Sequence, residues 1–194
     1  PPGTSDAEAF SASEPAPVPF QIVELSATPV SAAGRFELDE NDASHTVLGR
    51  RTKAAKPAKL IAAGAKESGF IKSIVEQVHE IRNQTDANVH SVGIIVNRVA
   101  SARLIHDEMT KKYQDCSVVL LTGRSRPLDR DALIEEQLAT VRSGKRPTTS
   151  ESDIRPVIVI ATQCVEVGAD LDFDALITEV CPLDSLRQRF GRLN

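Results

Sequence analysis

The chain has 194 residues, 41% of them hydrophobic, which is enough for one substantial core plus a tail. Its formal net charge of −4 argues against a globally basic nucleic-acid binder. Three cysteines without C-x-x-C spacing argue against a disulfide framework or a zinc site and for a reducing, cytoplasmic setting. Apolar runs such as VGIIV and VIVIA stop far short of the roughly 18 residues of a membrane span, so no membrane partner is expected.

Residues 1–19 are rich in Pro, Ala, Ser and Glu, lack apolar periodicity, and read as a disordered or linker tail. Phe20 to Leu25 reads as a strand, closed by Ser26-Ala27-Thr28-Pro29 because proline cannot continue a ladder. Val30 to Ala55 is polar and weakly patterned, a connection between two bodies, and Lys59 to Ile61 reads as a short strand. From Glu67, the residues Phe70, Ile71, Ile74, Val75, Val78 and Ile81 fall at helical spacing, giving an amphipathic helix to about Arg82. The period then changes. Val92 to Val96 reads as a strand, Ala100 to Tyr113 as a helix, Ser117 to Leu121 as a strand and Asp129 to Val141 as a helix. After a polar loop come a buried strand at Val157 to Ala161, a second short strand at Ala175 to Thr178, and a helix opened by Pro182. This alternation predicts an α/β fold, a parallel sheet with helices on both faces joined by right-handed crossovers.

In such sheets ligands sit at the carboxyl ends of the strands. Three loops there carry polar groups: Asn97 and Arg98; Thr122, Gly123 and Arg124; and Thr162 and Gln163, followed by Gly168, Asp170, Asp172 and Asp174. Asn97 either faces a ligand or caps the following helix. Positive charge is local: Arg35 is the only Lys or Arg among the first 48 residues, whereas Arg50 to Lys72 and Arg124 to Arg146, including Arg126 and Arg130, are dense in it. Such patches either track a phosphate backbone or form solvated faces. One Tyr and no Trp argue against base stacking. Two strings resemble metal motifs without their context. Asp39-Glu40-Asn41-Asp42 has no hydrophobic strand before it and reads as an exposed acidic turn. His106-Asp107 lies in a helix without ligand spacing to His45, His79 or His90, so no metal site is assigned.

Three motifs in order carry a resemblance. Ser26-Ala27-Thr28 after a strand, Ala161-Thr162 through Gly168 and Asp170 after a later strand, and Gln188-Arg189-Phe190-Gly191-Arg192 on the last helix resemble motifs III, V and VI of superfamily 2 helicases. More narrowly, SATP, the LGRR-to-KPAKL segment, ATQCVEVGADLDFD and LRQRFGRLN look like the CRISPR-associated helicase-nuclease that degrades invader DNA in type I systems. The resemblance covers residues 20–194 and implies RecA-like lobes: 20–55 as the end of the first lobe and a connection, 56–194 as the second. No G-x-x-x-x-G-K-[ST] string occurs. The ligands of ATP and Mg²⁺ are therefore expected mainly in a first lobe outside this sequence, and a further motif VI arginine is expected one position past Asn194.

The resemblance implies an ATP-dependent translocase on single-stranded DNA, working with a CRISPR RNA-guided effector complex, its nuclease elsewhere in the parent chain and this chain inactive alone. Arg192 is then the arginine that meets the γ-phosphate; Gln188 and Arg189 contact the nucleotide or hold the interface, and Arg187 packs or pairs. Thr162, Asn97, Arg98, Thr122, Gly123 and Arg124 hold the DNA backbone, while Gly168 and Asp170 approach the nucleotide. Ser26 and Thr28 couple hydrolysis to lobe movement. A non-catalytic RecA-like nucleic-acid-binding or docking module, or an RNA helicase lobe, is the alternative.

Overall fold

In the computed structural model of the protein, the described residues are 38–64, 66–83, 89–123, 126–142, 155–166 and 170–193, all within the unit Leu38–Asn194. The expected strand at Phe20 to Leu25, with Ser26 and Thr28, lies outside them, as do Arg124 and Gly168.

The acidic string at 39–42 is a helix start. The Asp39 carboxylate accepts from the Asp42 amide at 2.9 Å and the Asp42 carboxylate from the Asp39 amide at 3.1 Å, a reciprocal capping box that opens the exposed helix α1, Glu40–Ser44. A second short helix, α2, spans Leu48–Lys53. The polar segment read as a connection between two bodies thus contains two short helices among its described residues. Residues 54–64 then run without regular structure, so the strand expected at Lys59 to Ile61 does not form: among the described residues no ladder partner lies beside it, and these residues are exposed. The segment is pinned by side chains instead, with Lys56 Nζ donating to the Phe190 carbonyl at 3.1 Å and Lys59 Nζ 3.5 Å from Glu80.

Helix α3 spans Glu67–Arg82 and buries Ile74 and Val78 on its apolar face. Strand β1 (Ser91–Ile95) leads into α4 (Val99–Lys112), then β2 (Ser117–Leu121) and α5 (Pro127–Gln137), which ends in a 3₁₀ turn at Ala139–Val141. Strand β3 is Val157–Ala161, β4 is Ala175–Thr178, and α6 is Leu183–Phe190 with Pro182 as its N-cap. The four strands form one parallel sheet in the order β2-β3-β1-β4. Alternation along the strands divides the core. Val92, Ile94, Ile158 and Ile160 face α3 and α4, while Ile95, Val119, Val157, Val159 and Ala161 face Leu138, Val141, Leu171 and Phe173. Burying each such Val or Ile contributes roughly 1.5–3 kcal/mol before chain entropy is counted. This is the α/β, RecA-like architecture expected, with helices on both faces.

At the amino edge, Arg82 stacks 5.0 Å above the Tyr113 ring and ion-pairs Asp115 at 2.6 Å. The hydrogen bond from Arg82 holds the Asp115 carboxyl below its usual range, while burial pushes the Tyr113 phenol and Cys116 thiol up.

Because β3 and β4 are parallel, the chain must return across the sheet between them. The return segment lays Leu171 and Phe173, both fully buried, over the second face. Asp174, which the sequence places in the loop with Thr162, therefore ends up at the opposite edge. There its carboxylate accepts from the amides of His90 and Ser91 and from Ser91 Oγ at 2.8–3.0 Å.

Candidate nucleotide and nucleic-acid site

The registers Ile95↔Ala161, Ile95↔Thr178 and Leu121↔Ala161 end all four strands at one level. The ladder then runs one residue further: Val96 N–H donates to Ala161, Thr162 N–H to Leu121 and Glu179 N–H to Ile95, at 2.9–3.2 Å. These bonds fix where the next side chains emerge, and they bring Asn97, Thr122, Thr162 and Glu179 to a common rim. Thr122 and Thr162 are nearly buried, whereas Arg98 and Gly123 are exposed. A 3₁₀ turn at Gln163–Val165 follows Thr162, and Cys164 Sγ reaches the Leu121 carbonyl at 3.4 Å.

One side chain gathers this rim. Arg189, on α6, is 0% exposed, and its Nε donates to the Glu166 carboxylate at 2.9 Å. Nη1 donates to Thr178 Oγ1 (2.9 Å) and the Glu179 carbonyl (3.0 Å), and Nη2 to Asn97 Oδ1 (2.8 Å). Asn97 is fully used in turn: its amide N–H donates to Glu179 Oε2 at 2.7 Å and its Nδ2 to the Val180 carbonyl at 2.9 Å. A guanidinium is suited to this because it presents five donors in a rigid plane. The Glu166 side chain is 11% exposed, so the pair sits where removing one partner costs about 3–5 kcal/mol, since the other charge stays buried. Arg189, expected at the nucleotide or the interface, is thus turned inward, and Asn97 faces this network.

Arg192 lies one turn on. Its Nη2 donates to the Glu166 carbonyl at 2.9 Å, and its own carbonyl accepts from the Phe173 amide at 2.7 Å. Its Nε is buried and has no hydrogen-bond partner among the described residues. Gln188 is half-buried; Arg187 and Asp170 are exposed. Arg126 pairs with Asp129 at 2.7 Å on the first turn of α5. His106 Nδ1 lies 3.5 Å from Asp107 on α4, and among the described residues no group of three or more His, Cys, Asp or Glu could hold a metal ion.

Glu166 and Glu179, which organise the rim, were missed by sequence reasoning. The available signal was the acid two positions before Gly168, paired with an arginine on a half-buried helix face. Burial pushes the Cys181 thiol up, so it is a neutral neighbour of the network.

A polar rim at the carboxyl ends of parallel strands is where open α/β sheets bind ligands. A family model described as "CRISPR-associated nuclease/helicase Cas3, C-terminal" matches residues 88–194, more than half of the chain. The chain belongs to this Cas3 family. The Cas3 of Haloferax volcanii is 41% identical over 108 residues, 55% of this chain and 10% of that protein. The crystal structure of T. fusca Cas3-AMPPNP matches with a TM-score of 0.55 at 26% identity, over 72% of this chain and 16% of that one. A chain of a CRISPR RNA-guided surveillance complex, pre-nicking, matches with a TM-score of 0.52 at 26% identity, over 70% and 15%. The chain spans 10–12% of the length of the curated Cas3 relatives it matches. Among the described residues no helix is long and apolar enough to cross a membrane.

Proposed function

We propose that this chain supplies the second motor lobe of a Cas3-type enzyme that hydrolyses ATP to move along single-stranded DNA, unwinding invader DNA for degradation. In this reading residues 20–55 are the end of the first RecA-like lobe with the connection, and 56–194 are the second lobe. The observation that carries the proposal is Arg192: its Nη2 is anchored on the Glu166 carbonyl at 2.9 Å, and the side chain stays half-buried beside the rim. The residue as a whole is only half-buried, so the accessible part of a guanidinium fixed at one end is open to a phosphate oxygen presented by an opposing lobe.

Bound ATP supplies the phosphoanhydride and the charge that develops on its γ-phosphate during cleavage. An arginine meeting that charge accelerates comparable reactions by roughly 10³ to 10⁵. Within this chain, Arg192 is the charge-stabilising group, Gln188 and Arg189 support it, and Gly168 and Asp170 approach the nucleotide. Mg²⁺ is assigned no ligand within this chain. Without the phosphate loop, the chain alone is inactive.

Thr162, Thr122, Gly123, Arg98 and Arg124 are assigned to the DNA backbone, which Asn97 serves by fixing the β1 loop. Ser26 and Thr28 keep the coupling role that motif III implies. The solved relative in an RNA-guided surveillance complex supports such a complex as partner of the parent enzyme.

The test is ATP turnover by the full-length enzyme with single-stranded DNA or with RNA. Stimulation by single-stranded DNA that declines as salt rises is expected. Stimulation by RNA alone contradicts the DNA assignment, and no turnover with either favours a non-catalytic docking module.

A further inference from the structure

We propose that Glu166 is a positioning residue for Arg192, acting through both ends of its own structure, an inference that rests on the motor-lobe reading above. The two ends do different work. The carboxylate is held by Arg189 Nε at 2.9 Å, inside a network that also fastens Arg189 to Asn97, Thr178 and Glu179. The backbone carbonyl of the same residue accepts from Arg192 Nη2 at 2.9 Å. Arg189 and Arg192 lie three residues apart, on α6 and the turn that follows it, so the segment grips one loop residue twice. Neither grip works alone. A single bond to the Glu166 carbonyl would let the loop and Arg192 drift together; the buried ion pair ties that loop to the ends of β1 and β4, which the sheet register holds fixed.

The burial pattern supports this division. Arg189 is completely enclosed with its donors engaged, as a structural anchor should be, whereas Arg192 is only half-buried and keeps Nε without a partner among the described residues. Glu166 thus converts an immobile arginine into a fixed aim for a second one. Misplacing a reacting group by about 1 Å is enough to lower rates by roughly 100-fold, so a residue that never touches the nucleotide can control kcat.

The experiment is a double-mutant cycle in the full-length enzyme with single-stranded DNA, because a residue acting through another loses its effect once that other is altered. Glu166→Ala is expected to lower kcat for ATP at least tenfold while KM changes less than threefold, and Glu166→Gln, which keeps an acceptor for Arg189 Nε, to recover most of the loss. In an Arg192→Lys background, Glu166→Ala is expected to cost less than threefold further. An equal loss in both backgrounds, or a rise in KM with kcat intact, overturns the proposal. If Glu166→Ala does not fold, the same cycle is read with Glu166→Gln, whose smaller loss must again vanish in the Arg192→Lys background. The motor-lobe reading fails separately: the unsubstituted enzyme would then show no DNA-stimulated turnover.

Discussion

At the scale of single residues, function and packing draw on different sequence signals. Gly93 lies in the middle of β1, where a side chain would ordinarily pack; a Cβ there would sit 2.6 Å from Phe173 Cδ2. The position is small because the Phe173 ring rests on the strand backbone. Gly93→Ala must push that ring aside, a cost of about 1–3 kcal/mol. A lowered urea midpoint is expected, with part of the loss recovered by adding Phe173→Leu, since the two sites share one contact. The motif residues were legible as types: an arginine-rich terminal helix and a threonine at a strand end announce phosphate chemistry. Their division of labour was not. Arg189 and Arg192 are the same residue three positions apart, and only the placement of Glu166 between them shows that one is an anchor and the other half-open.

The helix from Glu67, the strands at Ser117–Leu121, Val157–Ala161 and Ala175–Thr178, and the alternation between them follow from hydrophobic period, because each element must bury one face. Lys59 to Ile61 shows the limit, since a strand needs a partner and local composition cannot supply one. The return from β3 to β4 shows another: DLDFD reads as one acidic loop, yet parallel geometry sends Asp170 and Asp174 toward different surroundings. Asp174 closes the amino edge by accepting three hydrogen bonds from His90 and Ser91. Bonds to a charged acceptor contribute more than neutral ones, so Asp174→Ala should destabilise the chain by about 1–3 kcal/mol. Denaturant unfolding reads that loss, and KM for ATP in the full-length enzyme should not move, because the substitution is at the edge opposite the rim.

Taken as a whole, the chain presents half of an active site in the proposed reading. Its sheet brings four strand ends to one level, a buried arginine ties together the ends that follow β1, β3 and β4, and a second, half-buried arginine lies beside them. The proposal assigns the complementary half, with the phosphate loop that this sequence lacks, to another part of the parent enzyme. In this reading Arg192 completes ATP hydrolysis across that division. The most direct measurement is ATP turnover by the full-length enzyme carrying Arg192→Ala at saturating single-stranded DNA. A loss of roughly 10³-fold or more in kcat, with DNA binding largely retained, is expected. Turnover close to that of the unsubstituted enzyme would contradict it.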